Sequence, residues 1–300
     1  MSATLISPTP TQAAPPSPLD SSATPAPTCT LARTSQHDVP GIVSGLREEG
    51  YAFMPQVLTP ALCAQVRAKI DALDFPAGDD NGKGVGVDHH KVVFNRDHFW
   101  LQFIDQAGII DAVEKMQGAD CHIIGMSAWR TPPGAGNWGM HIDQLFVPMD
   151  EELLISGRVV LPVFLETLHF YLQATDADLC PTWVVPGSHK SGRGPRQEKL
   201  KDIHVGFIGG DQKSWNGREA QPVWCGEGDA LLFRSEIWHS GSKNVTTDRT
   251  RYLLQVHYGR RGVAQRFPPY LEFHYNPTVV AACNPRQRRM IGGHSIGAYG

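Results

Sequence analysis

Two side chains one residue apart, His141 and Asp143 in "GMHIDQLF", follow directly on the glycine-rich "PPGAGNWG". Side chains two apart on a strand point to the same face. If this segment is extended, the pair therefore offers one neutral nitrogen and one anionic oxygen to a single point. In a solvated turn the same two residues would do nothing. A third donor, His239 in "LLFRSEIWHSG", lies just past another predicted strand. Two imidazoles and one carboxylate on one octahedral face leave three adjacent positions open. That is the ligand set of mononuclear non-haem Fe(II) oxygenases, whose open positions accept a bidentate 2-oxo acid and dioxygen. Zinc binds such donors too. A zinc-dependent hydrolase, or a non-catalytic jelly-roll binding protein that keeps the motif as scaffold, is the alternative on these residues alone.

A 2-oxo diacid needs a partner for its far carboxylate, and the fork of an arginine pairs with carboxylate bidentately. "DRTRYLLQVHY" supplies Arg251 at the start of a strand, with Arg249 at the same parity as the alternative. Alternation puts Arg251, Leu253, Gln255 and His257 on one face and Tyr252, Leu254, Val256 and Tyr258 on the other. By parity His169, Tyr171, Gln255 and His257 line a pocket, or Tyr171 and His257 sit satisfied in the core. Asn95 either touches the co-substrate or caps a turn. "DHHKVVFNRDH" (88–98) reads as a loop of exposed histidines, since no third ligand has metal-site spacing there. His189, in "PGSHK", reads as a turn-stabilising residue.

These donors need a scaffold of strands. "CHIIGMSAWR", "LHFYLQA", "TWVVPG", "DALLF" and "RYLLQVHY" are short β-branched or aromatic runs broken by Gly, Pro and Asp. Such spacing predicts a sandwich or barrel, and a cupin-like jelly roll holds a small site in its mouth. The predicted fold is mainly β with flanking helices: a helical layer over about 36–120 and a jelly-roll, double-stranded β-helix core over about 121–300. Thr59-Pro60 opens a helix whose Leu62, Val66, Ile70 and Leu73 form an apolar stripe. "PAGDDNGKGVGVDHHK" reads as a loop, either a mobile one over a site or an ordinary surface loop, without a nucleotide-binding fingerprint. Residues 1–35, rich in Pro, Ser, Thr and Ala, read as a disordered tail.

A net charge of -3 gives no footprint for nucleic acid or an anionic membrane. No apolar run reaches the length of a membrane span. Six scattered cysteines without a C-x-x-C pair, and a start unlike a secretory signal, point to a reduced, cytoplasmic protein. The partner this leaves is a small-molecule substrate.

In order along the chain, "WRTPPGAGNWGMHIDQ", "TWVVPGSHKSG", "GEGDALLFRSEIWHSGSKN" and the trailing Arg strand resemble the phytanoyl-CoA dioxygenase family of Fe(II)/2-oxoglutarate oxygenases. The resemblance runs from roughly residue 40 to 295. It implies His141, Asp143 and His239 as iron ligands and Arg251 as the 2-oxoglutarate anchor. It implies Fe(II), 2-oxoglutarate and O2 as cofactors and co-substrates. The implied activity is hydroxylation, or desaturation or ring closure, at an unactivated C–H of a small molecule such as an amino acid or natural-product intermediate, with release of succinate and CO2. Halogenases of this wider class need a small residue where Asp143 stands, which argues against halogenation. Where the family has an E-N-G turn before P-G-S-H, this chain reads "DLCPTW". Its Arg251 lies about one residue further from the distal histidine than the family pattern, which keeps Arg249 open.

Overall fold

The computed structural model describes residues 30–74, 86–196, 208–267 and 273–295. In chain order the strands are β1 (Tyr51–Met54), β2 (Asp88–Lys91), β3 (His122–Thr131), β4 (Gly136–Ile142), β5 (Leu165–Tyr171), β6 (Thr182–Val184) and β7 (Ile208–Gly210). They continue as β8 (Ser214–Trp215), β9 (Arg218–Glu219), β10 (Gln221–Val223), β11 (Ala230–Arg234), β12 (His239–Lys243) and β13 (Arg251–Gly259). A large sheet runs β1-β11-β5-β13-β3-β2 and a small one β10-β6-β12-β4-β7, while β8 and β9 form a separate hairpin. Neighbouring strands are antiparallel throughout both sheets. This is the predicted jelly roll.

The helices are α1 (Val39–Glu48), α2 (Pro60–Asp71), α3 (Ile109–Gln117), α4 (Glu151–Ile155), α5 (Pro277–Ala282) and α6 (Pro285–Met290). Thr59 caps α2 as expected, its side chain accepting from Leu62 N, and Val66 and Ile70 are buried. The main apolar core lies between the helices and the outer face of the large sheet. It joins Ile42, Leu46, Val66, Ile70 and Val113 to Leu168, Phe170, Leu232, Leu254 and Val256. A second core, with Tyr51, Phe53, Tyr171, Leu231, Phe233 and Leu253, lies on the opposite face, toward the small sheet. The helical layer is not confined to the N-terminal third. Arg286 and Arg289 of α6 pair with Asp111 and Glu114 of α3, drawing the C-terminal helices onto it.

Three local expectations are revised. Leu31 is buried and Arg33 bridges Phe53, so residues 30–35 pack on the sheet although they fall within the stretch assigned to the tail; residues 1–29 lie outside the described residues. The glycine-rich loop falls largely within 75–85, also outside them. "DHHK" is not an exposed loop but strand β2, with His89 and His90 buried. The β-ladder to β3 and stacking on Trp129 outweigh the polarity of the two imidazoles. His189 does more than stabilise its own turn: its Nε2 is 3.0 Å from Arg47 O, tying the turn to the end of α1. Among the described residues no helix is long and apolar enough to cross a membrane.

Candidate metal centre and its cavity

β4 and β12 are neighbours in the small sheet, and their register puts His239 directly opposite His141. The two imidazole centroids are 4.2 Å apart. Asp143 follows the end of β4, its backbone N–H donating to Ser235 O at 3.0 Å. One ligand atom from each of the three residues falls within 4.8 Å of the other two. His141 is thus extended in β4, while Asp143 lies just past the end of the strand and still reaches the same point.

The orientation of each donor has a local cause. His141 Nδ1 lies 2.7 Å from Gly139 O, and His239 Nδ1 lies 3.0 Å from Ile237 O. A carbonyl only accepts, so both Nδ1 atoms carry the proton and both Nε2 lone pairs are left for a ligand. On Asp143, Oδ2 accepts from Thr167 Oγ1 at 3.0 Å, and His257 Nδ1 lies 3.0 Å from the same hydroxyl. Oδ1 then faces His239 Nε2 at 3.6 Å. Such supporting hydrogen bonds fix ligand geometry before a metal arrives.

The electrostatics call for a cation. Burial, reinforced by His239, pushes His141 down to about 3, so it is neutral. Burial works against the Asp143 carboxylate, but attraction to His239 prevails and holds it well below the usual range. Burial likewise opposes the His239 cation, yet Asp143 raises it above its ordinary value. The trio therefore holds one negative charge that attracts a proton onto His239, and a divalent cation would replace that proton. The donor set fits a metal.

Beside the triad opens a cavity of about 980 Å³. Arg251, 7% exposed at the start of β13, lines it. One of its terminal nitrogens donates to Thr182 Oγ1 at 3.1 Å, and its guanidinium carbon lies 5.7 Å from the centroid of the Tyr171 ring. Its Nε, and Nδ1 of the cavity-lining His169, are buried without a protein partner. Buried donors are normally satisfied. Two orphans beside a metal trio fit an oxygen-rich diacid.

A family model described as phytanoyl-CoA dioxygenase matches residues 46–252. The chain belongs to the phytanoyl-CoA dioxygenase family. It is an iron- and 2-oxoglutarate-dependent oxygenase, and the hydrolase and inert-module readings fall. Solved structures share its fold. The epimerase SnoN, in complex with Fe3+, alpha ketoglutarate and nogalamycin RO, aligns with a TM-score of 0.54 at 16% identity, covering 74% of this chain and 83% of that one. The alpha ketoglutarate-dependent carbocyclase SnoK from nogalamycin biosynthesis gives 0.54 at 18%, covering 76% and 87%. HygX from Streptomyces hygroscopicus, with nickel and 2-oxoglutarate bound, gives 0.55 at 12%, covering 75% and 88%.

The other candidate residues of this dioxygenase-family chain divide clearly. Gln255 lines the cavity, accepting from Trp129 Nε1 and donating to His169 Nε2 at 2.7 Å. Tyr171 lies behind it: its ring sits beneath Arg251 and its hydroxyl donates to Thr182 Oγ1 at 3.0 Å. Arg249 is not at the cavity. It pairs through both terminal nitrogens with Asp176 at the surface, at 2.7 and 3.2 Å. Asn95 is also elsewhere, donating to His274 O and accepting from Asn276 N at 2.8 Å each, and so latches the C-terminal segment. Sequence reasoning missed Thr167 and Thr182. The alternation of "LETLHFY" placed Thr167 on the same face as His169 and Tyr171, a signal that was available.

Proposed function

We propose that this oxygenase oxidises an unactivated C–H bond of a small organic molecule, with His141, Asp143 and His239 holding the iron and Arg251 gripping the distal carboxylate of 2-oxoglutarate. Hydroxylation is the simplest outcome; desaturation or ring closure would follow if the substrate were positioned otherwise. The observation that carries this reading is the convergence of three preoriented donors beside a buried arginine with an unused N–H. Structural likeness to an epimerase and a carbocyclase of nogalamycin biosynthesis supports a small natural-product substrate.

When bound, iron would activate O2 as the oxidant, with 2-oxoglutarate giving up two electrons and one carbon to become succinate and CO2 and the substrate C–H giving up the other two electrons. The chain's own residues arrange it. Gly139 O and Ile237 O keep the two imidazoles in the ligating tautomer. Thr167 holds one carboxylate oxygen of Asp143, so the other faces the metal position. Thr182 and Tyr171 brace Arg251 against the small sheet, while its Nε has no protein partner. The apolar part of the cavity wall, including Met126, Leu253 and Phe267, disfavours water beside a bound substrate.

Anaerobic addition of Fe(II) and 2-oxoglutarate should produce a weak visible charge-transfer band, and admission of air should release succinate in an iron-dependent manner. His141→Ala should lose both. Full coupled turnover by that variant would disprove the assignment of the first ligand.

A further inference from the structure

The cavity walls carry information that the metal centre does not use. Trp129 and Trp138, both lining it, meet edge-to-face with centroids 6.0 Å apart and planes at 89°. His89 lies flat on Trp129 at 3.6 Å and 13°. Ile124, Met126, Leu253 and Phe267 complete an apolar wall. The result is a right-angled aromatic corner, suited to a flat ring system by stacking on one wall and edge contact with the other. Gly139 widens the space next to the triad. It stands two residues before His141, lines the cavity, and a Cβ added there would meet nothing within 4 Å.

The charges are one-sided. Among the described residues lining the cavity the only carboxylate is Asp143, which a bound metal would engage. The cations there are Arg251, Lys91 and Arg266. Lys91 and Arg266 are exposed at the rim and flank the same stretch of β3: Lys91 is paired with Ser127, and the backbone N–H of Arg266 donates to Ile124 O. Those anchors, Ile124 and Ser127, are three positions apart on β3, roughly 10 Å. The Arg266 side chain donates to a neutral acceptor, Gln144 Oε1, at 3.2 Å. Indole walls attract cations when nothing else intervenes. Here an ammonium group would enter beside Arg266 with no carboxylate other than Asp143 among the described lining residues, a costly position in a partly desolvated site.

We propose that the substrate is a rigid, flat, ring-containing molecule bearing a carboxylate, with its ring in the Trp129–Trp138 corner and its carboxylate toward Arg266, and that free amino acids and amines are excluded. This rests on the oxygenase reading above and narrows its substrate.

Three matched probes test it by calorimetric titration into the anaerobic protein loaded with Fe(II) and 2-oxoglutarate: anthracene-2-carboxylate, its neutral carboxamide, and the corresponding aminomethyl cation. The carboxylate should bind at least tenfold more tightly than the cation, with the amide between. Arg266→Glu, a change at an exposed side chain, should erase or invert that order. Gly139→Leu should weaken all three at least tenfold. Its charge-transfer band and circular dichroism show whether the metal centre and fold are intact, and if they are not, Gly139→Ala, expected to weaken binding less, replaces it. Binding of the cation as tight as that of the carboxylate, an order untouched by Arg266→Glu, or affinities indifferent to filling position 139 would each overturn the proposal. Absence of the band in the unaltered protein would instead overturn the oxygenase reading, so the two failures are distinguishable.

Discussion

The two faces of the large sheet are built from the same strands and have opposite characters. On β13, Leu254, Val256 and Tyr258 point to the helices and are fully buried in apolar surroundings. One residue out of phase, Arg251, Leu253, Gln255 and His257 line the cavity. β5 repeats the pattern, with Leu168 and Phe170 in the main core and Thr167 and His169 on the site side. The helix face gains its energy from close packing and carries only a few buried polar groups, Gln117, Glu166 and the Tyr258 hydroxyl. The cavity face carries nitrogen donors that the protein leaves unused. Stability and chemistry are thus assigned to alternate residues of one chain segment, and a period of two separates them.

Breaking the helix face should cost the most. Leu254→Ala removes a fully buried side chain, and such truncations cost about 2–5 kcal/mol. Chemical denaturation should show that loss, while the folded fraction still forms the Fe(II)/2-oxoglutarate band. If the folded variant cannot form the band, the two faces are not independent. Arg251→Met tests the other side. It should raise the KM for 2-oxoglutarate on the order of 100-fold, the scale of a desolvated charge-assisted pair. It should leave the melting temperature of the cofactor-free protein unchanged or higher, because it removes a buried cation whose Nε has no partner.

Glu166 sharpens the comparison, being a carboxyl on the helix face. It is fully buried and accepts from Gln117 Nε2 at 2.9 Å, while its Oε1 has no partner. Burial pushes it up to about 8 against an ordinary 4.5, with Gln117 and Arg234 only partly offsetting that. Below 4.5 the folded and unfolded chains both hold the proton, so nothing is lost. Between 4.5 and 8 the unfolded chain releases it while the folded chain keeps it, and stability falls as pH rises. Glu166→Gln cannot titrate, so its stability relative to the parent should rise across that window. The gain near pH 8 is on the order of 2 kcal/mol, less than the full shift implies because buried sites relax. A flat difference between the two denaturation series from pH 4 to 8 would place the Glu166 proton elsewhere.

Period-two alternation made the β part of this division legible before any coordinates: the cavity set of β13 follows from sequence parity alone. The candidate metal trio was legible less from alternation than from the order of its motifs: Asp143 lies just past β4, and His239, expected just past a strand, opens β12. What the sequence concealed was decided by distant partners. Nothing local says that Asn95 meets His274 and Asn276, 179 and 181 residues away. Nor does "DHHK" announce that Trp129 lies across the ladder to cover His89. Parity also placed Tyr171 at the pocket, but a tyrosine long enough to reach past the strand finds Thr182 and supports Arg251 from behind.

Arg249 is the sharpest case, because parity alone could not separate it from Arg251. The difference is where β13 begins. Arg251 is the first residue of the strand and lies within the sheet, opposite Thr131 of β3. Arg249 is two residues earlier, before the strand, and about half its side chain is in water. It finds a bidentate partner in Asp176, and that hydrogen bond lowers the Asp176 carboxyl below its ordinary value. A surface pair of this kind contributes little after solvent screening. Arg249→Ala should therefore cost no more than about 1 kcal/mol, with the cost shrinking as salt is raised. Its KM for 2-oxoglutarate should match the parent's within a factor of about two. A rise comparable to that of Arg251→Met would exchange the roles of the two arginines and with them the wall against which the co-substrate lies.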